Sequence, residues 1–175
     1  PADICHVGGK AAHYSLLRRA LPNNSEVAVA FTFDLWHEFL DQRLAGGLSL
    51  REEISRRLSG YTFPPADMAA LEQDLSFIRS LFTDDRITKF SEPLREAVIA
   101  TLTDEQHGFD ANVKLRFRSS TNVEDSEQFS GAGLYDSYSG CLADDLDSDA
   151  AGPCRCDPAE KKERGVFRAI RKVFA

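Results

Sequence analysis

Apolar positions recur along this chain with two different periods. Between about 46 and 107 the period is helical. Leu50, Ile54 and Leu58 step by four, and Met68, Leu71, Leu75, Ile78 and Phe82 step by three, four, three and four. The first set predicts a helix from Ser49 to Gly60, the second a longer helix. Pro93 near a first turn starts a third, carrying Leu94, Val98 and Leu102. Outside this stretch a period of two appears. In "EVAVAFTF", Val27, Val29, Phe31 and Phe33 alternate with Ala28, Ala30 and Thr32, which predicts a strand buried on both faces. The helix "DLWHEFLDQRLA" follows, with Asp34 as its expected N-cap. "NVKLRFRSS" sends Val113, Leu115 and Phe117 one way and Lys114, Arg116 and Arg118 the other, and "GLYDSYSG" predicts a second short strand.

The two ends are helical. "VGGKAAHYSLLRRAL" opens on a glycine pair and then places Tyr14, Leu17 and Leu21 on one side. "RGVFRAIRKVFA" carries an apolar face of Val166, Phe167, Ile170, Val173 and Phe174 to the last residue without a cap, which reads as a fragment of a longer protein. The whole predicts an α/β (α+β) chain. Its strand-bearing core spans about 1–45 and 108–175, with a helical insertion over about 46–107.

Composition narrows the function classes. The 175 residues are 42% apolar and 28% charged, as in an ordinary globular domain. A net charge of −7 argues against a nucleic-acid surface, which draws on clustered Lys and Arg. No apolar run is long enough to span a membrane. Four cysteines in a chain with this much core need no staples, so reduced thiols in a cytoplasm are expected.

Three short stretches carry candidate chemistry. Arg118 ends a predicted strand at the mouth of Ser119, Ser120 and Thr121. A guanidinium there can hold two phosphate oxygens at once, and the hydroxyls add donors. The same stretch also reads as a solvated basic face balanced by Glu124, Asp125 and Glu127. Gly8-Gly9 leading into a helix leaves N–H groups at a positive helix end, with Lys10 on the first turn, or simply makes a turn. Gly131 and Gly133 allow close backbone approach to a ligand, or a β-turn. Two metal readings are set aside. Cys154-x-Cys156 is too tight for a zinc pair, and the acidic run Asp144, Asp145, Asp147, Asp149 lacks the central Gly and closing Glu of a calcium loop.

The joint order of "VGGKAA", a strand and helix, a helical insertion and "RSSTNVEDSEQFSGAG" resembles the nucleotide-binding domain of the phosphoenolpyruvate synthase and pyruvate phosphate dikinase family. The resemblance spans almost the whole chain, and "RSSTNVEDS" with "FSGAGLYDS" is its most specific part. It implies the N-terminal half of an ATP-grasp-like domain. It also implies that Lys10 and Arg118 contact nucleotide phosphates, with Ser119 and Ser120 assisting and the Gly131–Gly133 loop closing over them; Arg118 is then the candidate catalytic residue. The implied cofactor is ATP with Mg2+, whose ligands are expected outside the chain. The implied reaction is phosphoryl transfer to a histidine of a separate domain, with phosphoenolpyruvate made on another. Departures exist: "PNNSE" replaces the family's Pro-x-Gly, and Thr121 stands where Ala is usual. A non-catalytic module of the same fold, binding a phosphate ligand or a protein, is the alternative. A glucan-dikinase-like acceptor is a third.

Overall fold

The computed structural model describes residues 3–123, 131, 133–149 and 151–175. Helix α1 (Ile4–Ala20) is broken at Gly8, and a single 3-10 turn at Pro22–Asn24 follows it. Next come α2 (Phe33–Asp41), α3 (Leu50–Leu58), α4 (Met68–Thr83) and α5 (Glu92–Thr103). Strands β1 (Leu115–Phe117) and β2 (Tyr138–Gly140) pair antiparallel, Arg116 opposite Ser139, and α6 (Ala143–Leu146) and α7 (Val166–Phe174) complete the chain. The result is a helix-rich α+β fold. Among the described residues, no helix is long and apolar enough to cross a membrane.

Local sequence explains where the helices begin. Ser49 and Glu52 form a reciprocal capping box at α3: the Ser49 Oγ accepts from the Glu52 N–H at 3.1 Å, and the Ser49 N–H donates to Glu52 Oε2 at 2.7 Å. Asp67 caps α4 through the Ala70 N–H, and Ser91 caps α5 just ahead of Pro93. At α2 the cap is Thr32 rather than Asp34, which lies in the first turn and accepts from the Thr32 hydroxyl at 2.9 Å.

The core lies between α2, α4, α5 and α7, and it is aromatic at its centre. Phe39 is 1% exposed and stands within 4.8 Å, 5.4 Å and 6.0 Å of the Phe90, Phe174 and Phe82 rings. Trp36 stacks on Phe82 and meets Phe174 edge-on. Helix α7 contributes Val166, Phe167 and Ile170, and Gly140 allows the hairpin onto it: a Cβ there would lie 2.7 Å from Val166 Cα.

Three sequence expectations are corrected. Residues 26–32 form no strand, although Val29 and Phe31 do face the core; Val27 is exposed, and among the described residues no strand pairs with this segment. The anticipated apolar side of α1 is not covered: Leu17 and Leu21 are 47% and 51% exposed, and Leu16 beside them 48%. The cysteines are not all reduced. Cys141 and Cys156 form a disulfide, while Cys5 and Cys154 remain thiols. The reason is local. The polar loop from Leu142 to Glu163 has little apolar surface of its own, so a covalent tie and buried carboxylates hold it instead.

One of those carboxylates gives a pH prediction. Asp145 accepts a short hydrogen bond from the Val166 N–H at the start of α7. Burial pushes its carboxyl up to about 6, against the lowering effect of that hydrogen bond and of Arg95. A carboxyl raised in the fold favours the folded state fully below its unfolded pKa of about 4, and that contribution disappears as pH rises through about 6. Relative to Asp145→Asn, the natural chain is expected to lose about 2 kcal/mol of stability between those limits, after allowance for partial solvent screening. Urea unfolding of both chains at several pH values checks this, and parallel pH profiles would contradict it.

Candidate functional site

Two sequence segments 109 residues apart meet at Gly8. This glycine is buried with φ 79° and ψ 169°, a conformation essentially reserved to glycine. A Cβ on it would lie 2.5 Å from both the carbonyl carbon and oxygen of Ser120, and 2.6 Å from the Ser120 Oγ. The turn that restarts α1 after Gly8 is then clamped to the loop after β1. The Gly9 N–H donates to the Thr121 carbonyl at 2.9 Å, and the Ala11 N–H donates to the Ser120 Oγ at 3.0 Å.

This junction changes the role of the glycine pair. The sequence places Gly8-Gly9 before the helix with its N–H groups open to an anion. A helical turn precedes Gly8 instead, and two of the N–H groups that follow it are occupied by the loop. The cationic side chains beside the clamp are those of Lys10 and Arg118. Lys10 belongs to the clamped turn, and its ammonium lies 5.7 Å above the Tyr135 ring. Arg118 is one residue past β1, exposed, and makes no hydrogen bond or ion pair with the described residues. Ser120 is two positions further on, so their Cα atoms are at most about 7 Å apart. Ser119 is half-buried between them.

The glycines of the second loop form a turn in their described part. Gly131 is buried and its carbonyl accepts from the Leu134 N–H at 3.1 Å, and Gly133 has φ 79°. Ala132 and residues 124–130 lie outside the described residues, including Glu124, Asp125, Glu127 and the start of the Phe-Ser-Gly-Ala-Gly loop.

Lys114 and Arg116 do not join Arg118. Lys114 pairs with Asp157 at 2.7 Å, and Arg116 donates to the Ser137 and Ser139 hydroxyls at 2.5 and 3.3 Å. Both line a groove of 270 Å³ with Tyr138, Arg164, Arg168 and Lys172. Glu160 answers Arg164 at 2.7 Å, and Lys172 sits 4.9 Å above the Tyr138 ring. Loss of solvation and then the charge of Arg164 push Arg168 down; loss of solvation followed by Arg168 and Arg164 does the same to Lys172. Sequence reasoning missed these residues because it read only the apolar face of "RGVFRAIRKVFA". The signal was present as basic residues every fourth position, 164, 168 and 172.

The architecture is thus a helix-rich α+β domain in which a glycine-broken helix is clamped to a hydroxyl-rich loop next to cationic side chains. Residues 4–175 match the family described as the pyruvate phosphate dikinase AMP/ATP-binding domain, and the chain belongs to it. It is the nucleotide-binding part of a dikinase family. No curated protein and no solved structure matches the chain.

Proposed function

We propose that the Gly8–Ser120 junction is the frame of a nucleotide phosphate site in an ATP-grasp-like domain whose helical insertion spans about 46–107. The supporting observation is the clamp itself. It joins the Gly-Gly-Lys turn and the Arg-Ser-Ser loop, the two segments that carry the family resemblance, across 109 residues. Lys10 and Arg118 would contact the phosphates, Ser119 would donate from its hydroxyl, and Ser120 would position the loop through its bond to Ala11. Gly131 and Gly133 would close the second loop over the nucleotide. Bound ATP supplies the transferable phosphoryl group. The chain's part is charge neutralisation and alignment, since phosphoryl transfer asks little covalent work of a protein. The acceptor in this reading is a histidine on a partner domain, leading to pyruvate and phosphoenolpyruvate chemistry. The clamp segments 8–12 and 118–123 contain no carboxylate, so they do not hold Mg2+.

Arg118→Ala is expected to weaken Mg·ATP binding by about 1.5–3 kcal/mol, the range for a hydrogen bond to a charged group. Titration calorimetry of the folded variant beside the natural chain checks it. Equal affinities would contradict the role given to Arg118.

The Lys114–Lys172 groove favours one second reading, a non-catalytic module that binds a phosphate ligand. Compartment separates the two. Cytoplasmic ATP chemistry places Cys141–Cys156 where thiols are kept reduced, whereas a binding module fits an oxidising compartment. Incubating the full-length protein with labelled ATP decides between them: acid-labile, base-stable label on a histidine supports the kinase, and none supports the module.

A further inference from the structure

The acidic loop contains a cluster that the nucleotide reading does not use. Asp147, Asp149 and Glu163 each offer a carboxylate oxygen within 4.8 Å of the others. Asp144 assembles them. Its buried carboxylate accepts from the Arg155 N–H at 2.8 Å and from the Arg164 N–H at 2.6 Å, which pins the loop's return and sets Glu163 opposite Asp147. Acidic clusters on surfaces are common and by themselves mean little. Here the Asp147 side chain is only 8% exposed. Its Oδ2 accepts from Arg155 Nε at 2.7 Å, while its Oδ1 is buried with no hydrogen-bond partner among the described residues. A buried carboxylate oxygen left without a donor is costly, and two further carboxylates stand beside this side chain.

We propose that Asp147, Asp149 and Glu163 form a divalent-cation site that takes Ca2+. Three carboxylates against the Arg155 guanidinium leave two negative charges, which one such ion neutralises. All three donors are hard oxygens, which excludes a preference for soft metals. Calcium accepts six to eight oxygens at about 2.3–2.6 Å in flexible geometry, so oxygens on opposite sides of it stand up to about 5 Å apart. Magnesium demands a tighter octahedron and gives up water reluctantly. The sequence lacked the closing carboxylate of a contiguous calcium loop; Glu163 supplies it from beyond the disulfide-tied turn. This site shares no residue with the Gly8–Ser120 junction and stands or falls apart from the nucleotide reading.

The test is calorimetric titration of the chelator-stripped chain with CaCl2 and, separately, MgCl2. One equivalent of Ca2+ with a Kd of about 10⁻⁵–10⁻³ M is expected, with Mg2+ at least tenfold weaker, as for a carboxylate site on a surface loop. Asp147→Asn and Glu163→Gln should each weaken Ca2+ at least tenfold (about 1.4 kcal/mol). Glu163→Gln leaves the Asp147–Arg155 pair intact, so it reports on the ion even if Asp147→Asn misfolds. No heat and no thermal shift with CaCl2 up to about 10 mM, well above that range, would overturn the proposal. So would an unchanged affinity in folded Glu163→Gln.

Discussion

Gly8→Ala is expected to destabilise the chain by about 3–5 kcal/mol. Two costs combine there. Alanine at φ 79° and ψ 169° occupies backbone space that non-glycine residues avoid, worth about 1–3 kcal/mol. Its methyl would also start 2.5 Å from the Ser120 carbonyl group, so the loop must retreat, at roughly 1–3 kcal/mol for overpacking. The obstacle is backbone, which cannot rotate aside as a side-chain tip can. Retreat of Ser120 would break its bond to the Ala11 N–H and carry Arg118 away from Lys10, so nucleotide affinity should fall with stability. Gly60→Ala is the control: no atom lies within 4 Å of a Cβ there, and about 0.5 kcal/mol or less is expected. Urea unfolding of the three chains measures the difference. A Gly8→Ala chain as stable as Gly60→Ala would show that the clamp does not form.

Removing the Cys141–Cys156 disulfide is expected to cost about 3 kcal/mol. The bridge closes a separation of 15 residues, and the chain-entropy estimate for a loop of that length is about 3 kcal/mol. For a chain of this size that lowers Tm by about 6–12 °C. The polar loop it ties has few other anchors: Cys154 is buried, and Asp144 and Asp147 take hydrogen bonds from the Arg155 and Arg164 segments. Thermal unfolding of the Cys141→Ser/Cys156→Ser chain against the oxidised natural chain measures the loss. Identical midpoints would mean that the loop is held by its carboxylates alone.

The helices were the legible part of this sequence, because their signals are local. The three-four spacing of Met68 to Phe82 and the four-residue spacing of Leu50, Ile54 and Leu58 need only their own neighbours, and both helices stand where those spacings put them. The alternation in "EVAVAFTF" carries less information. A strand needs a partner edge, and periodicity alone cannot say whether one exists for residues 26–32. The same limit governs the junction. Gly8-Gly9, Lys10 and Arg118–Thr121 could each be singled out, yet no spacing shows that Ser120 and Thr121 would occupy the Ala11 and Gly9 N–H groups. The disulfide was missed for a different reason. Core size was judged over the whole chain, while the loop that carries the bond has only two large apolar residues, Leu142 and Leu146.

The central claim is that nucleotide phosphates are held beside the Gly8–Ser120 clamp by Arg118 and Lys10. Its most direct measurement is the thermal shift of the natural and Arg118→Ala chains with Mg·ATP at about 100 times the natural Kd. Binding to the folded state alone then adds about 2.7 kcal/mol. That raises Tm by about 5–11 °C in the natural chain. In a folded Arg118→Ala chain the shift should fall by half or more. No shift in the natural chain, or the same shift in both, would contradict it.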